Sequence, residues 1–103
     1  MITRHNHLID IVEQELIDRG YNPIREEEYN KGVCGEIDLY AINGKYILLF
    51  EMKTTTNYKT RKKAIEQMNR AERYCFNNKR VFKFYVSNYK NPTIEWIKGD
   101  KYG

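Results

Sequence analysis

The dipeptide Asn43-Gly44 separates two runs of strand-forming residues, and it constrains the fold more than any other short segment of the chain. Asn-Gly between such runs is typical of a type I′ turn, in which both central residues take positive φ. The sequence therefore predicts a β-hairpin that joins a strand over residues 36–42 to a strand over residues 45–53. The apolar run at residues 46–50 indicates that the second strand is central in its sheet.

The register of this hairpin decides which side chains share a face. With Ile42 paired to Lys45, Asp38 lies opposite Leu49. Side chains alternate along a strand with a period of two, so one face collects several charged groups. They are Glu36, Asp38, Glu51 and Lys53.

These clustered carboxylates point to a metal site. Like charges that face each other across a ladder destabilise a sheet by up to about 1 kcal/mol. A divalent cation removes that repulsion, and hard oxygen ligands suit Mg²⁺. An alternative remains open, in which the same charges form an ion-pair cluster on an exposed strand.

Asp38, followed after the hairpin by Glu51-Met52-Lys53, resembles the D…(D/E)-x-K signature of the PD-(D/E)xK nuclease superfamily. The layout, with an opening helix that ends near Gly20, is similar to archaeal-type Holliday junction resolvases over roughly residues 5–90. The residue before Asp38 is Ile37, where the family often has proline. The resemblance implies one nuclease-like domain over residues 1–103, an α/β fold with a restriction-endonuclease-like mixed sheet flanked by helices in the order α-β-β-β-α-β-β.

By the same resemblance, the chain is expected to be a Mg²⁺-dependent DNA endonuclease, with Mn²⁺ as a plausible substitute. Asp38, Glu51 and the Met52 carbonyl oxygen would hold the metal. Lys53 would orient the attacking water or stabilise the transition state, and Gln67 would help to orient the site. The leading substrate is a four-way DNA junction in recombination or repair, whose two symmetric cuts imply a homodimer.

Several alternatives stay open from the residues alone. A general repair or restriction-type nuclease, a non-catalytic nucleic-acid-binding module and an RNA-directed enzyme would all carry these motifs. Asp10 or Glu13 of the first helix, or Glu36, could also join the metal site. Exposed residues of the last strands, Trp96 among them, could form a dimer interface.

The opening helix is predicted over residues 5–19, with Gly20 as its C-terminal stop. Its apolar stripe consists of Leu8, Ile9, Val12 and Leu16. His5 and His7 do not have the spacing of a metal pair and are expected on the surface. Pro23 begins an extended segment over residues 24–29.

A second helix is predicted from a cap at Thr60 to about Asn77. Its packed stripe is expected to contain Ala64, Gln67, Ala71 and Tyr74. Its flanks are basic, which suits salt-sensitive contacts to phosphates. With the loop residue Lys31, the predicted nucleic-acid contacts are Lys59, Arg61, Lys62, Lys63, Arg70 and Arg73. Two further strands are predicted over residues 81–87 and 93–98.

The net charge of +4 conceals an asymmetry along the chain. Residues 1–52 have five Lys/Arg and ten Asp/Glu, a net −5, whereas residues 53–103 have thirteen and four, a net +9. An acidic half that supplies carboxylates and a basic half that meets phosphates fits a metal-dependent enzyme acting on nucleic acid.

The two cysteines, Cys34 and Cys75, show neither metal-ligand spacing nor a disulfide framework, so reduced thiols and an intracellular location are expected. No signal peptide or transmembrane segment is apparent, and no membrane partner is expected.

Overall fold

The structure is a computed structural model that describes residues 3–25, 37–55, 57–76 and 79–98. In this part of the chain, five strands form one sheet in the spatial order β1-β2-β3-β4-β5, and two helices pack on it. The elements are α1 (Arg4–Asp18), β1 (Pro23–Arg25), β2 (Leu39–Asn43), β3 (Tyr46–Lys53), α2 (Tyr58–Tyr74), β4 (Arg80–Ser87) and β5 (Thr93–Ile97).

The sheet is mixed, because β3 pairs with β4 in parallel while the other three pairs are antiparallel. The helix α2 makes the crossover between the two parallel strands. The predicted α/β domain with a mixed sheet flanked by helices is therefore confirmed. The two last strands also lie where they were predicted, with β4 beginning at Arg80 and β5 ending at Ile97.

Helix α1 forms as predicted. The Thr3 hydroxyl accepts a hydrogen bond from the Asn6 backbone N–H at 3.0 Å and so caps the first turn. Gly20 ends the helical segment with a φ of 91°, a conformation that glycine adopts without strain. The buried side chains are the predicted ones: Leu8, Ile9, Val12 and Leu16.

Helix α2 begins earlier than predicted. Asn57 is its N-cap rather than Thr60, because the Asn57 side chain accepts the Thr60 backbone N–H at 2.9 Å. The helix ends at Tyr74 instead of continuing to Asn77. Tyr74 is 61% exposed in the last turn, so its predicted place in the packed stripe is wrong. The buried residues are Ala64, Met68 and Ala71.

The hairpin has a different register from the predicted one. Asn43 pairs with Tyr46, so the two turn residues are Gly44 and Lys45. Of these two turn residues only Gly44 has a positive φ, 61°, as a type II′ turn requires at its first central residue. The predicted type I′ turn and the pairing of Ile42 with Lys45 are wrong.

The corrected register moves each partner by two positions. Leu49 pairs with Tyr40 and not with Asp38, and Leu39 pairs with Phe50, which brings Glu51 level with Asp38. Because a shift of two keeps the alternation of faces, Asp38 and Glu51 still lie on the same side. Strand β2 begins at Leu39, later than predicted, and Glu36 lies outside the described residues.

The two helices cover opposite faces of the sheet. The core under α1 includes Phe50 and Met52 of β3, whereas the core under α2 includes Ile47 and Leu49. Since side chains alternate along β3, Glu51 and Lys53 belong to the α2 side. The site is therefore positioned by the central strand and by α2, the helix that follows it.

Cys75 is disulfide-bonded, so the expectation that both thiols are reduced is wrong. Cys34, the other cysteine of the chain, lies outside the described residues. None of the helices in the described ranges is long and apolar enough to cross a membrane.

Candidate active site

Asp38 and Glu51 meet where β2 begins and β3 ends. Glu51 Oε1 accepts a hydrogen bond from the Asp38 backbone N–H at 3.2 Å. In return, Asp38 Oδ2 accepts the Met52 backbone N–H at 2.9 Å. Each carboxylate is thus held by the backbone of the opposite segment, and the predicted pair of acids is brought together.

Glu51 is the most unusual group of the site. Its exposed fraction is 2%, and burial, together with the charge of Asp38, raises its pKa to about 9, while Lys53 acts in the opposite direction. A buried carboxyl group beside another acid is therefore protonated near neutral pH unless a cation compensates it. Strongly perturbed pKa values of this kind are concentrated at functional sites.

Lys53 lies on the same side of β3 as Glu51. Its Nζ atom is 3.7 Å from Glu51 Oε2, and the side chain is 25% exposed. The ammonium group is therefore next to the buried carboxyl group and partly exposed to solvent.

His5 belongs to the site, which the sequence did not predict, although its side chain is 40% exposed, in partial agreement with the predicted surface position. Its Nε2 atom is 3.1 Å from Asp38 Oδ2 and 3.1 Å from the Met52 carbonyl oxygen. The hydrogen bond to Asp38 raises the pKa of His5, although partial burial opposes it. The sequence held a signal for this position, because Leu8 and Ile9 follow His5 at helical spacing on the buried stripe.

The donor groups of the site fit a hard divalent cation by their chemistry. Two carboxylates, Asp38 and Glu51, and the Met52 carbonyl oxygen offer the oxygen ligands that Mg²⁺ prefers. Burial raises the pKa of Glu51, and a bound cation would favour its ionised form, which is consistent with the fit. Within the described ranges, no three His, Cys, Asp or Glu side chains are grouped as a metal site.

The acids of α1 have another role. Arg25 of β1 forms ion pairs with Asp10 and with Glu13, the latter at 2.7 Å. These contacts also raise the pKa of Arg25. The option that Asp10 or Glu13 joins the metal site therefore has no support in the geometry. Glu36 and Lys31 lie outside the described residues.

Gln67 lies on α2 beside Met68, which packs in the same core as Leu49 of β3. Its Oε1 atom is buried and has no hydrogen-bond partner within the described part of the chain. Such an acceptor costs about 1–3 kcal/mol, so it is uncommon without a reason. The orienting role of Gln67 stays a prediction.

The cations of α2 are arranged in two ways. Five are exposed on the side opposite Ala64, Met68 and Ala71, namely Lys59, Lys62, Lys63, Arg70 and Arg73. Lys59, Lys62 and Lys63 border an open depression of ≈ 370 Å³ at the start of the helix. Arg61 differs, because it forms a bidentate ion pair with Glu95 of β5 at 2.9 and 2.6 Å.

Comparisons of the chain with protein-family models, with curated proteins and with solved structures find no match. The case for a function therefore depends on the site itself.

Proposed function

We propose that this chain is a divalent-metal-dependent endonuclease of the PD-(D/E)xK type that acts on DNA. The observation that carries the proposal is Glu51, a carboxyl group 2% exposed that is linked to Asp38 and has Lys53 at 3.7 Å. Placing two acids together, with one of them buried, is costly unless a cation compensates their charge.

Asp38, Glu51 and the Met52 carbonyl oxygen would hold Mg²⁺, with Mn²⁺ as a substitute. When bound, the metal supplies Lewis acidity to a phosphoryl oxygen and lowers the pKa of water. The protein contributes the fixed positions of its donors, which the reciprocal backbone hydrogen bonds of Asp38 and Glu51 maintain.

Two other side chains act around these donors. Lys53 can donate hydrogen bonds to a phosphate oxygen or to the attacking water, and its charge favours the extra negative charge of the transition state. His5 is a positioning residue, because it contacts both Asp38 and the Met52 carbonyl oxygen. Gln67 would complete the site from the side of α2.

The exposed cations of α2 would contact the DNA backbone. They extend from Lys59 to Arg73, about 21 Å along the helix at 1.5 Å per residue. Phosphate contacts of this kind position DNA without reading its sequence. Because α2 begins soon after β3 ends, its first basic residues lie at the end of the sheet that carries Lys53.

The finer part of the proposal is a restriction-endonuclease-like arrangement that resolves four-way junctions. One domain of this size offers one pair of acids, so two symmetric cuts require two copies of the chain. A general repair or restriction-type nuclease is the neighbouring possibility within the same chemistry.

A non-catalytic nucleic-acid-binding module is the second candidate. It is favoured by the contact of His5 with Asp38, because His5 gives this carboxylate a partner in the absence of a metal. A binding module of this kind does not explain why Glu51 is buried beside Asp38.

The deciding experiment compares cleavage of a four-way junction, a flap and a linear duplex in Mg²⁺. The wild-type protein should cut the junction in preference, while Glu51→Gln and Lys53→Ala should bind DNA without cutting it. Lys90→Ala, an exposed lysine between β4 and β5, is the control variant. Equal cleavage of all three substrates would favour a general nuclease, and retained cleavage in both site variants would refute the proposal.

A further inference from the structure

A large part of the sheet on the α1 side is not covered by α1. That helix packs over Phe50, Met52 and Val86, at one end of β3 and β4. Toward the edge strand β5 the face stays open, with Trp96 51% exposed and Ile94 52% exposed.

Three aromatic rings form a row across this open face. Tyr46 of β3 is 46% exposed, and its ring centre lies 5.6 Å from that of Phe82 on β4. The Phe82 ring centre lies 6.4 Å from that of Trp96 on β5. We call Tyr46, Phe82 and Trp96 the aromatic row. It crosses three neighbouring strands, about 10 Å at the usual strand spacing.

Cations border the aromatic row. The Arg80 guanidinium lies 5.9 Å from the centre of the Phe82 ring, and the Lys98 ammonium lies 5.2 Å from the centre of the Trp96 ring. Lys45 and Lys79 join Arg80 around an adjoining depression of ≈ 700 Å³ that Tyr46 also lines.

The acids of the same strands are on the other side of the sheet. In β3, β4 and β5 the acidic residues are Glu51 and Glu95. Glu51 faces the α2 side, and Glu95 is paired with Arg61 of α2. The face that carries the aromatic row is thus apolar and positive within these strands.

We propose that the aromatic row binds single-stranded nucleic acid. Unpaired bases stack on exposed aromatic rings while neighbouring cations hold the phosphates. Tyr46 and Trp96 are exposed, with the half-buried Phe82 between them, and Arg80 and Lys98 lie beside these rings. A duplex hides the faces of its bases, so it cannot use the rings. A second copy of the chain would bring the same cations against Arg80 and Lys98, which makes self-association the less favourable occupant.

This surface is separate from the candidate active site and does not depend on the proposed nuclease activity. Tyr46 and Glu51 lie on opposite faces of the sheet, about 16 Å apart along β3. The surface would give the protein a preference for nucleic acid that contains an unpaired stretch.

Trp96 is the only tryptophan of the chain, so its fluorescence reports on this face. We expect a short oligothymidylate to quench it in a buffer with a chelator, where no metal-dependent cleavage occurs. An abasic oligonucleotide of equal length should bind at least about tenfold more weakly, because it lacks the stacking groups. Binding to the α2 cations alone would leave the Trp96 signal unchanged.

Phe82→Leu and Tyr46→Leu test the rings while keeping apolar side chains and Trp96. Each should weaken the affinity for oligothymidylate, measured by Trp96 quenching, about tenfold. Tyr74→Leu, at an exposed position of α2, should leave this affinity unchanged. Circular dichroism checks that the variants fold. Equal affinities for thymidylate and abasic oligonucleotides, or no loss in both ring variants, would overturn the proposal. Trp96 emission that depends on protein concentration without nucleic acid would also overturn it, since a second copy would then cover the face.

Discussion

The Asp38 backbone donates a hydrogen bond to the Glu51 carboxylate at 3.2 Å, and the Asp38 carboxylate accepts one from the residue after Glu51 at 2.9 Å. The two acids are therefore linked in both directions across adjacent strand ends. A change in either side chain alters the hydrogen bonding of the other segment. They should be treated as one structural unit.

The first prediction concerns pH and the metal-free protein. Glu51 has a pKa of about 9 in the fold against 4.5 for the ordinary carboxyl, so between these values the native state keeps a proton that the unfolded chain has released. The contribution of the protonated Glu51 side chain to the free energy of unfolding is fully present below about pH 4.5. It decreases as pH rises toward 9, by at most about 1.4 kcal/mol per unit.

Urea unfolding at several pH values between 5 and 9, with a chelator present, measures this decrease. Glu51→Gln keeps the shape of the side chain but cannot ionise, so its stability should depend less on pH. Glu66→Gln, at an exposed position of α2, is the control. The same pH dependence in both variants would show that Glu51 is not the responsible group.

The second prediction concerns metal binding. A cation that binds only the native state must stabilise it, by about 2.7 kcal/mol at a hundred times its Kd. At that concentration, Mg²⁺ or Mn²⁺ should therefore raise the Tm of the wild-type protein by about 10 °C or more. Asp38→Asn and Glu51→Gln should abolish the rise, as measured by differential scanning fluorimetry against matched ionic strength in NaCl. A rise that survives in both variants would place the cation elsewhere.

The third prediction concerns His5. His5→Ala removes the contacts with Asp38 and the Met52 carbonyl oxygen, and it should cost at most about 1 kcal/mol because the side chain is partly exposed. The hydrogen bond to Asp38 raises the pKa of His5, so the stabilisation is present below about pH 6.5 and is lost as pH rises further. Thermal unfolding at pH 5.5 and 8.5 should show the larger loss at pH 5.5. His7→Ala is the matched control, and an equal loss in it would remove the special role of His5.

The fourth prediction separates two neighbouring cations of α2. Lys62 is exposed, whereas Arg61 is engaged with Glu95. Lys62→Ala should weaken DNA binding and reduce the slope of log K against log salt by about 0.9. Arg61→Ala should leave that slope nearly unchanged. Fluorescence anisotropy across a salt series measures both, and the opposite order would show that Arg61 leaves Glu95 to bind DNA.

The fifth prediction concerns the hairpin turn. Gly44 has a φ of 61°, and a Cβ atom added there would meet no atom within 4 Å. Gly44→Ala should therefore destabilise the fold through backbone strain alone, by about 1 kcal/mol. Gly44→Asn should cost less, because asparagine tolerates positive φ. Chemical denaturation of both variants tests this order, and equal stabilities would argue against strain at this position.

Local patterns predicted much of the fold. The stripe of α1 and the two last strands follow from periodicity, and the predicted proximity of Asp38 and Glu51 survived a wrong register because the error was of two residues. The turn was mispredicted because Gly44 suits two turn types. It can be the second central residue of a type I′ turn, after Asn43, or the first central residue of a type II′ turn, before Lys45. The α2 cap was mispredicted because Asn57 and Thr60 are both good N-cap residues, and only the fold selects between them.

The other errors involve partners distant in sequence. The apolar stripe of α1 places His5 toward the sheet, but it does not identify Asp38 and Met52 as its partners. Arg61 resembles its basic neighbours until β5 brings Glu95 to it. Such pairings depend on tertiary packing, which a periodicity argument does not contain.

Gly44 lies six residues from Asp38 along the chain and at the far end of the hairpin from the acids. The loop it begins nevertheless determines their alignment, since every pairing along β2 and β3 is counted from that loop. A change in the loop that shifted this register by one residue would turn the carboxylate of one strand to the opposite side of the sheet and separate the two acids. The length of a solvent-exposed bend is thus as strict a requirement for any chemistry at this site as the acids themselves.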